Sequence, residues 1–101
     1  MEHITSNEWE TTINQPLVLI EFWADWCAPC KMMKPILEQL DNEIPALSVA
    51  LVNADLEQEL VEQLEITAIP TMILYKNGEL VWKLSGAKPF PWYVKEIGPY
   101  V

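Results

Sequence analysis

Apolar residues along the chain follow two rhythms. Leu17-Val18-Leu19-Ile20-Glu21-Phe22-Trp23 is continuous apart from one acid, and Leu47 to Asn53 is nearly so. Unbroken runs of this length read as central strands covered on both faces. Between them Met33, Ile36, Leu37 and Leu40 recur at i, i+3, i+4 and i+7, the stripe of an amphipathic helix, with Pro35 inside it removing one backbone donor. Leu56, Leu60, Val61 and Leu64 mark another such helix. Thr71-Met72-Ile73-Leu74-Tyr75 and Leu80-Val81-Trp82-Lys83-Leu84 flank Asn77-Gly78, a pair that accepts the positive φ angles of a tight hairpin turn. Ser6 is placed to cap a short helix that runs to Ile13 and stops at Gln15-Pro16; Pro91 opens a last one, closed by Gly98-Pro99.

Strands separated by helices, then a hairpin and a terminal helix, describe an α/β fold with a mixed central sheet flanked by helices on both faces. A chain of 101 residues predicts one domain over 1–101. In such sheets chemistry collects at a strand's carboxyl end, where the next helix begins. Trp23 to Cys30 occupies that place.

Composition narrows the function. Half of the residues are apolar and five are tryptophan, which supplies a core without staples and excludes a disordered chain. No apolar run approaches the roughly 20 residues that span a bilayer, and Met1-Glu2-His3-Ile4-Thr5-Ser6 has neither the basic start nor the apolar stretch of a secretory signal. The expectation is a cytoplasmic protein with no membrane partner. The net charge is −9, and the basic residues are six lysines with no arginine, which argues against nucleic acid as a partner. Asp55, Glu57, Glu59, Glu62 and Glu65 carry no base among them. They read either as a solvated helix face or as an electrostatic filter against acidic partners.

The two cysteines, Cys27 and Cys30, stand three positions apart. Closing so short a loop constrains little of the unfolded chain, so reactivity or metal binding must explain the pair. A closed zinc site takes four ligands, and only His3, on a terminus expected to fray, could add nitrogen; no metal is expected. Two thiols across a two-residue spacer at a helix start can close a small disulfide ring. Unpaired N–H groups at the helix N-terminus favour the thiolate, the reactive form, at Cys27. Cys30 lies a turn further in and is expected to be the more buried, so Cys27 reads as the attacking thiol and Cys30 as the resolving one. Lys31 adds positive charge nearby, and Pro29 stiffens the spacer with a helical φ. The cycle needs a disulfide-containing protein as substrate and no cofactor in the chain itself.

With these residues in view, the chain resembles the thioredoxin family over nearly its whole length. The resemblance rests on Phe22-Trp23-Ala24, on Trp26-Cys27-Ala28-Pro29-Cys30-Lys31, on Pro35, and on Ile69-Pro70-Thr71 followed by Lys76-Asn77-Gly78-Glu79. It implies the thioredoxin fold and a monomeric protein-disulfide reductase, recharged by an NADPH-dependent thioredoxin reductase. It implies a cis peptide bond before Pro70, which would face the cysteines, with the backbone of Ile69 offered to an extended substrate as an added strand would be. Trp26, Ala28, Pro29, Ile69 and Pro70 would form an apolar docking patch. Gly86 resembles the small residue that lets substrate approach from the far side; a plain strand terminator is the other reading.

The chain departs from the family's pattern in three places. Glu21 stands where the family usually has an aspartate, behind the cysteines and assisting proton transfer to or from Cys30; burial in an apolar strand would raise its proton affinity into a useful range. Leu51 stands where the family often has a lysine paired with that acid. The spacer is Ala28-Pro29 in place of the commoner Gly-Pro. A role of another class, a binding subunit whose redox chemistry is incidental, uses the same fold. Oxidising chemistry is opposed by a proline, and not a histidine, before Cys30.

Overall fold

The computed structural model describes residues 1–101, and its centre is a five-stranded sheet. The strands are β1 (Glu2–His3), β2 (Leu17–Trp23), β3 (Ser48–Asn53), β4 (Thr71–Lys76) and β5 (Glu79–Ser85), in the spatial order β1-β3-β2-β4-β5. The first three in that order run parallel, and β4 and β5 are antiparallel to their neighbours. Four helices cover the sheet: α1 (Trp9–Ile13), α2 (Ala28–Glu43), α3 (Gln58–Gln63) and α4 (Phe90–Ile97).

The continuous apolar run made β2 central, and side-chain alternation divides it between two cores. Leu17 and Leu19 pack with Met33, Leu37 and Leu40 of α2 and with Tyr93 and Ile97 of α4. Val18, Ile20 and Phe22 face the other way, onto Trp9 of α1 and Leu60 of α3. By the same alternation Glu21 and Trp23 belong to the α2 side. That placement brings the one acid of the strand beneath the helix that carries the cysteines.

Several boundaries differ from expectation. Thr5, not Ser6, caps the first turn: its hydroxyl accepts from the Asn7 N–H, and the Glu8 carboxylate accepts in return from the Thr5 N–H at 3.2 Å. This reciprocal cap lies one residue before the expected one, with Glu8 three positions after Thr5 as the pattern requires. The N-terminus does not fray. His3 pairs in parallel register with Leu51, and its ring meets that of Trp23 edge-on at 5.8 Å. Leu56 lies outside α3 and is 77% exposed, so the helical stripe begins later than its spacing implied. Helix α2 continues through Pro35.

The hairpin is built as the Asn-Gly pair predicts, with φ of 51° at Asn77 and 86° at Gly78. A side chain at Gly78 would also collide with the Asn14 amide, which is itself held by donating to the Glu10 carbonyl at 2.7 Å. Gly78→Ala is therefore expected to lower unfolding stability by about 1–2 kcal/mol, since a left-handed residue with a Cβ is strained. A urea midpoint unchanged from the wild type would contradict this.

Candidate active site

Trp23 ends β2, and a short turn from Ala24 leads into α2. The Cys27 N–H donates to the Ala24 carbonyl at 3.1 Å, and Cys27 then takes the N-cap position with extended backbone. From there its Sγ accepts a hydrogen bond from the Cys30 N–H at 3.2 Å. Ala28 and Pro29 are the first two helical residues. Proline has no N–H to contribute, so the Cys30 N–H is one of the few free donors of the first turn. The two cysteines are joined as a disulfide, with Cα atoms 5.3 Å apart. In this form both are equally buried, each 3% exposed, contrary to the expectation that Cys30 would be the more hidden. Position on the helix, not exposure, separates them.

Around the disulfide, Trp26 is 70% exposed, and Ala28 and Pro29 are exposed beside it. The indole does not hang free: its Nε1–H donates to the Asp55 carboxylate at 2.9 Å. Asp55 sits in a loop shaped by Asn53, whose Oδ1 accepts from the Asp55 N–H at 2.9 Å, and the Ala54 N–H donates to the Trp23 carbonyl at 2.8 Å. The acids of 55–65 are thus neither only a solvated face nor only a filter. Asp55 orients the tryptophan, and Glu57 accepts from the Ser6 N–H at 2.8 Å. The sequence signal was available: parallel β2 and β3 end at the same edge, so loops after Trp23 and after Asn53 must meet.

Pro70 immediately precedes β4, whose Thr71 pairs with Phe22, so it lies at the same sheet end as Trp23 and the disulfide. The Ile69–Pro70 bond is cis, as the resemblance implied. Pro70 itself is buried and Ile69 half-buried, so of the five residues assigned to the docking patch Pro70 offers shape and little surface. Gly86 follows β5 with a φ of 93°, and its N–H donates to the Pro70 carbonyl at 2.8 Å. The positive φ alone requires glycine there; the space where a side chain would project is open.

Glu21 lies between Leu51 of β3 and Met72 of β4 in the sheet register and is 3% exposed. Burial holds its carboxyl far above the usual range, at about 8. Its Oε2 has no hydrogen-bond partner. Together with Cys30 it lines a cavity of about 400 Å³, mostly apolar, whose wall also includes His3, Trp23, Lys34 and Leu51. The acid and the inner cysteine thus face one space. No three His, Cys, Asp or Glu side chains converge as metal ligands.

Comparison with known proteins agrees with this geometry. A family model described as thioredoxin matches residues 1–96. A thioredoxin of Chlamydia pneumoniae is 40% identical over 85 residues, 84% of this chain and 83% of that protein. A solved Plasmodium falciparum thioredoxin superposes with a TM-score of 0.90 at 32% identity, covering all of both chains. A bifunctional thioredoxin reductase/thioredoxin of Mycobacterium leprae is 43% identical over 76 residues, 74% of this chain and 16% of that much longer protein.

The raised proton affinity of Glu21 has a thermodynamic consequence. The folded protein keeps this proton up to about pH 8, whereas the unfolded chain releases it near 4.5. The stabilisation is complete below the lower value and is lost as pH rises through the upper one. In the oxidised protein, unfolding free energy should fall across that window by up to about 1.4 kcal/mol per pH unit from this group. Glu21→Gln should remove that component, and parallel pH–stability curves for the two proteins would disprove it.

Proposed function

The chain belongs to the thioredoxin family and is a thiol–disulfide oxidoreductase, and we propose that Cys27 is its attacking sulfur, Cys30 its resolving sulfur and Glu21 the group that exchanges a proton with Cys30. The observation that carries the assignment is the Cys30 N–H donating to Sγ of Cys27 at the helix cap. A negative charge on that sulfur is met by a backbone donor and by the positive end of a 16-residue helix. The sulfur of Cys30 has no such place.

The reaction is a pair of exchanges at sulfur. The Cys27 thiolate attacks one sulfur of a protein disulfide; a Cys27–substrate disulfide forms, and the other substrate sulfur departs as a thiolate and takes up a proton. Cys30 then gives its proton to Glu21 and attacks Sγ of Cys27. The second substrate sulfur leaves as a thiolate, and the protein is left with its own disulfide. Two electrons have passed to the substrate. The second attack is intramolecular and gains strongly from proximity. Glu21, poised near pH 8 by burial, suits a group that must both take and return a proton.

Substrate would dock on Trp26, Ala28 and Pro29, with the backbone at Ile69 and Pro70 accepting an extended segment and Gly86 leaving room at its side. Thioredoxins act on disulfide substrates and are reduced by thioredoxin reductase; the fusion of the two in the Mycobacterium leprae relative supports an NADPH-dependent thioredoxin reductase as the source of electrons here. The reading includes one domain over residues 1–101, acting as a monomer in the cytoplasm, where thiols are kept reduced. No helix is long and apolar enough to cross a membrane.

Insulin reduction driven by dithiothreitol tests the assignment. Cys27→Ser should abolish activity, and Cys30→Ser should accumulate a mixed disulfide that does not resolve. Glu21→Gln should slow that resolution on the order of 10²-fold while leaving the first attack nearly intact. Equal rates in the Gln variant would remove Glu21 from the mechanism, and substrate capture that survives replacement of both cysteines by serine would favour the binding-subunit role.

A further inference from the structure

Glu21 has apolar neighbours on both adjoining strands, so a charge on it finds its compensation only across the cavity it shares with Cys30. Glu21 and Trp23 both line that space, and each carries a buried polar atom without a partner, the Oε2 of the acid and the Nε1–H of the indole. Buried groups of this kind are nearly always satisfied in folded proteins, so the cavity is built to admit a polar or charged partner.

Several titratable groups border or approach this space. From β1 comes His3, whose ring is stacked edge-on against Trp23. The terminal amino group of Met1 also borders the cavity but is engaged with the Asp41 carboxylate at 3.5 Å. From α4 comes Tyr93, pushed well up by burial and to a smaller degree by the charge of Glu21; its hydroxyl carries no positive charge and points to the sulfur of Met33 at 4.0 Å. From α2 come Lys31 and Lys34 beside Cys30.

Helix geometry separates the two lysines. Cys30, Lys34 and Leu37 follow one another at i, i+4 and i+7, and all three line the cavity. Lys34 thus lies about 40° around the helix from Cys30, and Lys31 about 100°. Lys34 also borders an outer cleft with Glu38 and Asp41, yet neither carboxylate is within ion-pair distance, since the single ion pair of the chain is that of Met1 with Asp41. Its ammonium is uncommitted, on a flexible four-carbon stem that can turn inward.

We propose that Lys34 is a positioning residue: its ammonium approaches Glu21 through the shared cavity, directly or across one water, and sets how readily that carboxyl gives up its proton. The proposal rests on Glu21 serving Cys30 as a proton acceptor, and it adds the cation that makes this service possible. As the carboxyl ionises the amine turns in, and as it is protonated the amine returns to solvent. The electrostatic partner of the acid is then carried by the helix that carries the cysteines, one turn beyond Cys30.

The test is a carbon-13 NMR titration of the Glu21 carboxyl in the oxidised protein. Lys34→Gln, an exposed helical substitution of equal propensity, should move the midpoint upward by about one pH unit. Lys34→Arg should leave it in place, and Leu51→Lys added to Lys34→Gln should bring it back. An unmoved midpoint in Lys34→Gln overturns the proposal, as does an equal rise in Lys31→Gln or His3→Gln. Resolution of the mixed disulfide, measured separately in Glu21→Gln, keeps the two ideas apart. A normal rate there removes Glu21 from catalysis whatever the titration reads, while a slow rate with an unmoved Lys34→Gln midpoint removes only the lysine.

Discussion

The hydrogen bond from the Cys30 N–H to the sulfur of Cys27 is the contact on which the site is organised. It exists because three separate features coincide. A central strand ends at Trp23, a short turn closes on the Ala24 carbonyl, and a helix begins with a residue whose side chain must satisfy a donor of the first turn. Serine or aspartate commonly fills such a position; here sulfur does so, and the cap is also the atom proposed to attack substrate. Pro29 sharpens the arrangement by deleting a competing donor.

Beneath that contact the sheet imposes a second order. Alternation along β2 sends Leu17, Leu19, Glu21 and Trp23 toward α2 and the other side chains toward α1 and α3. One polar residue in an apolar strand therefore emerges under the helix start and nowhere else. The cost of keeping a carboxyl there is expressed as its raised proton affinity, the same property that the proposed exchange with a thiol proton draws on. Stability and chemistry pull in opposite directions at this one residue.

Much of this was legible in the residues. The unbroken run 17–23 announced a central strand, Asn77-Gly78 announced the hairpin, and the two cysteines at a helix start announced the chemistry, because each is a local signal with a local cause. What escaped was long-range. The pairing of His3 beside Leu51 depends on an edge only the folded sheet creates. The hold of Asp55 on Trp26 depends on two loops meeting that are 29 residues apart. The equal burial of the two sulfurs follows from their being joined, and the sharing of one cavity by Lys34 and Glu21 follows from how α2 is rotated on the sheet. Leu56 misled because its spacing fits a helix that starts two residues later.

The tie between the Trp26 indole and Asp55 bears on how partners are engaged. An exposed tryptophan free to rotate surrenders torsional freedom each time a partner settles on it. Here the Asp55 hydrogen bond orients the ring when the chain folds, so under the proposed docking successive partners would meet the same preset flat surface. A handle of that kind would grip through shape and apolar area while asking little reorganisation of either side, a combination suited to brief visits by many different proteins.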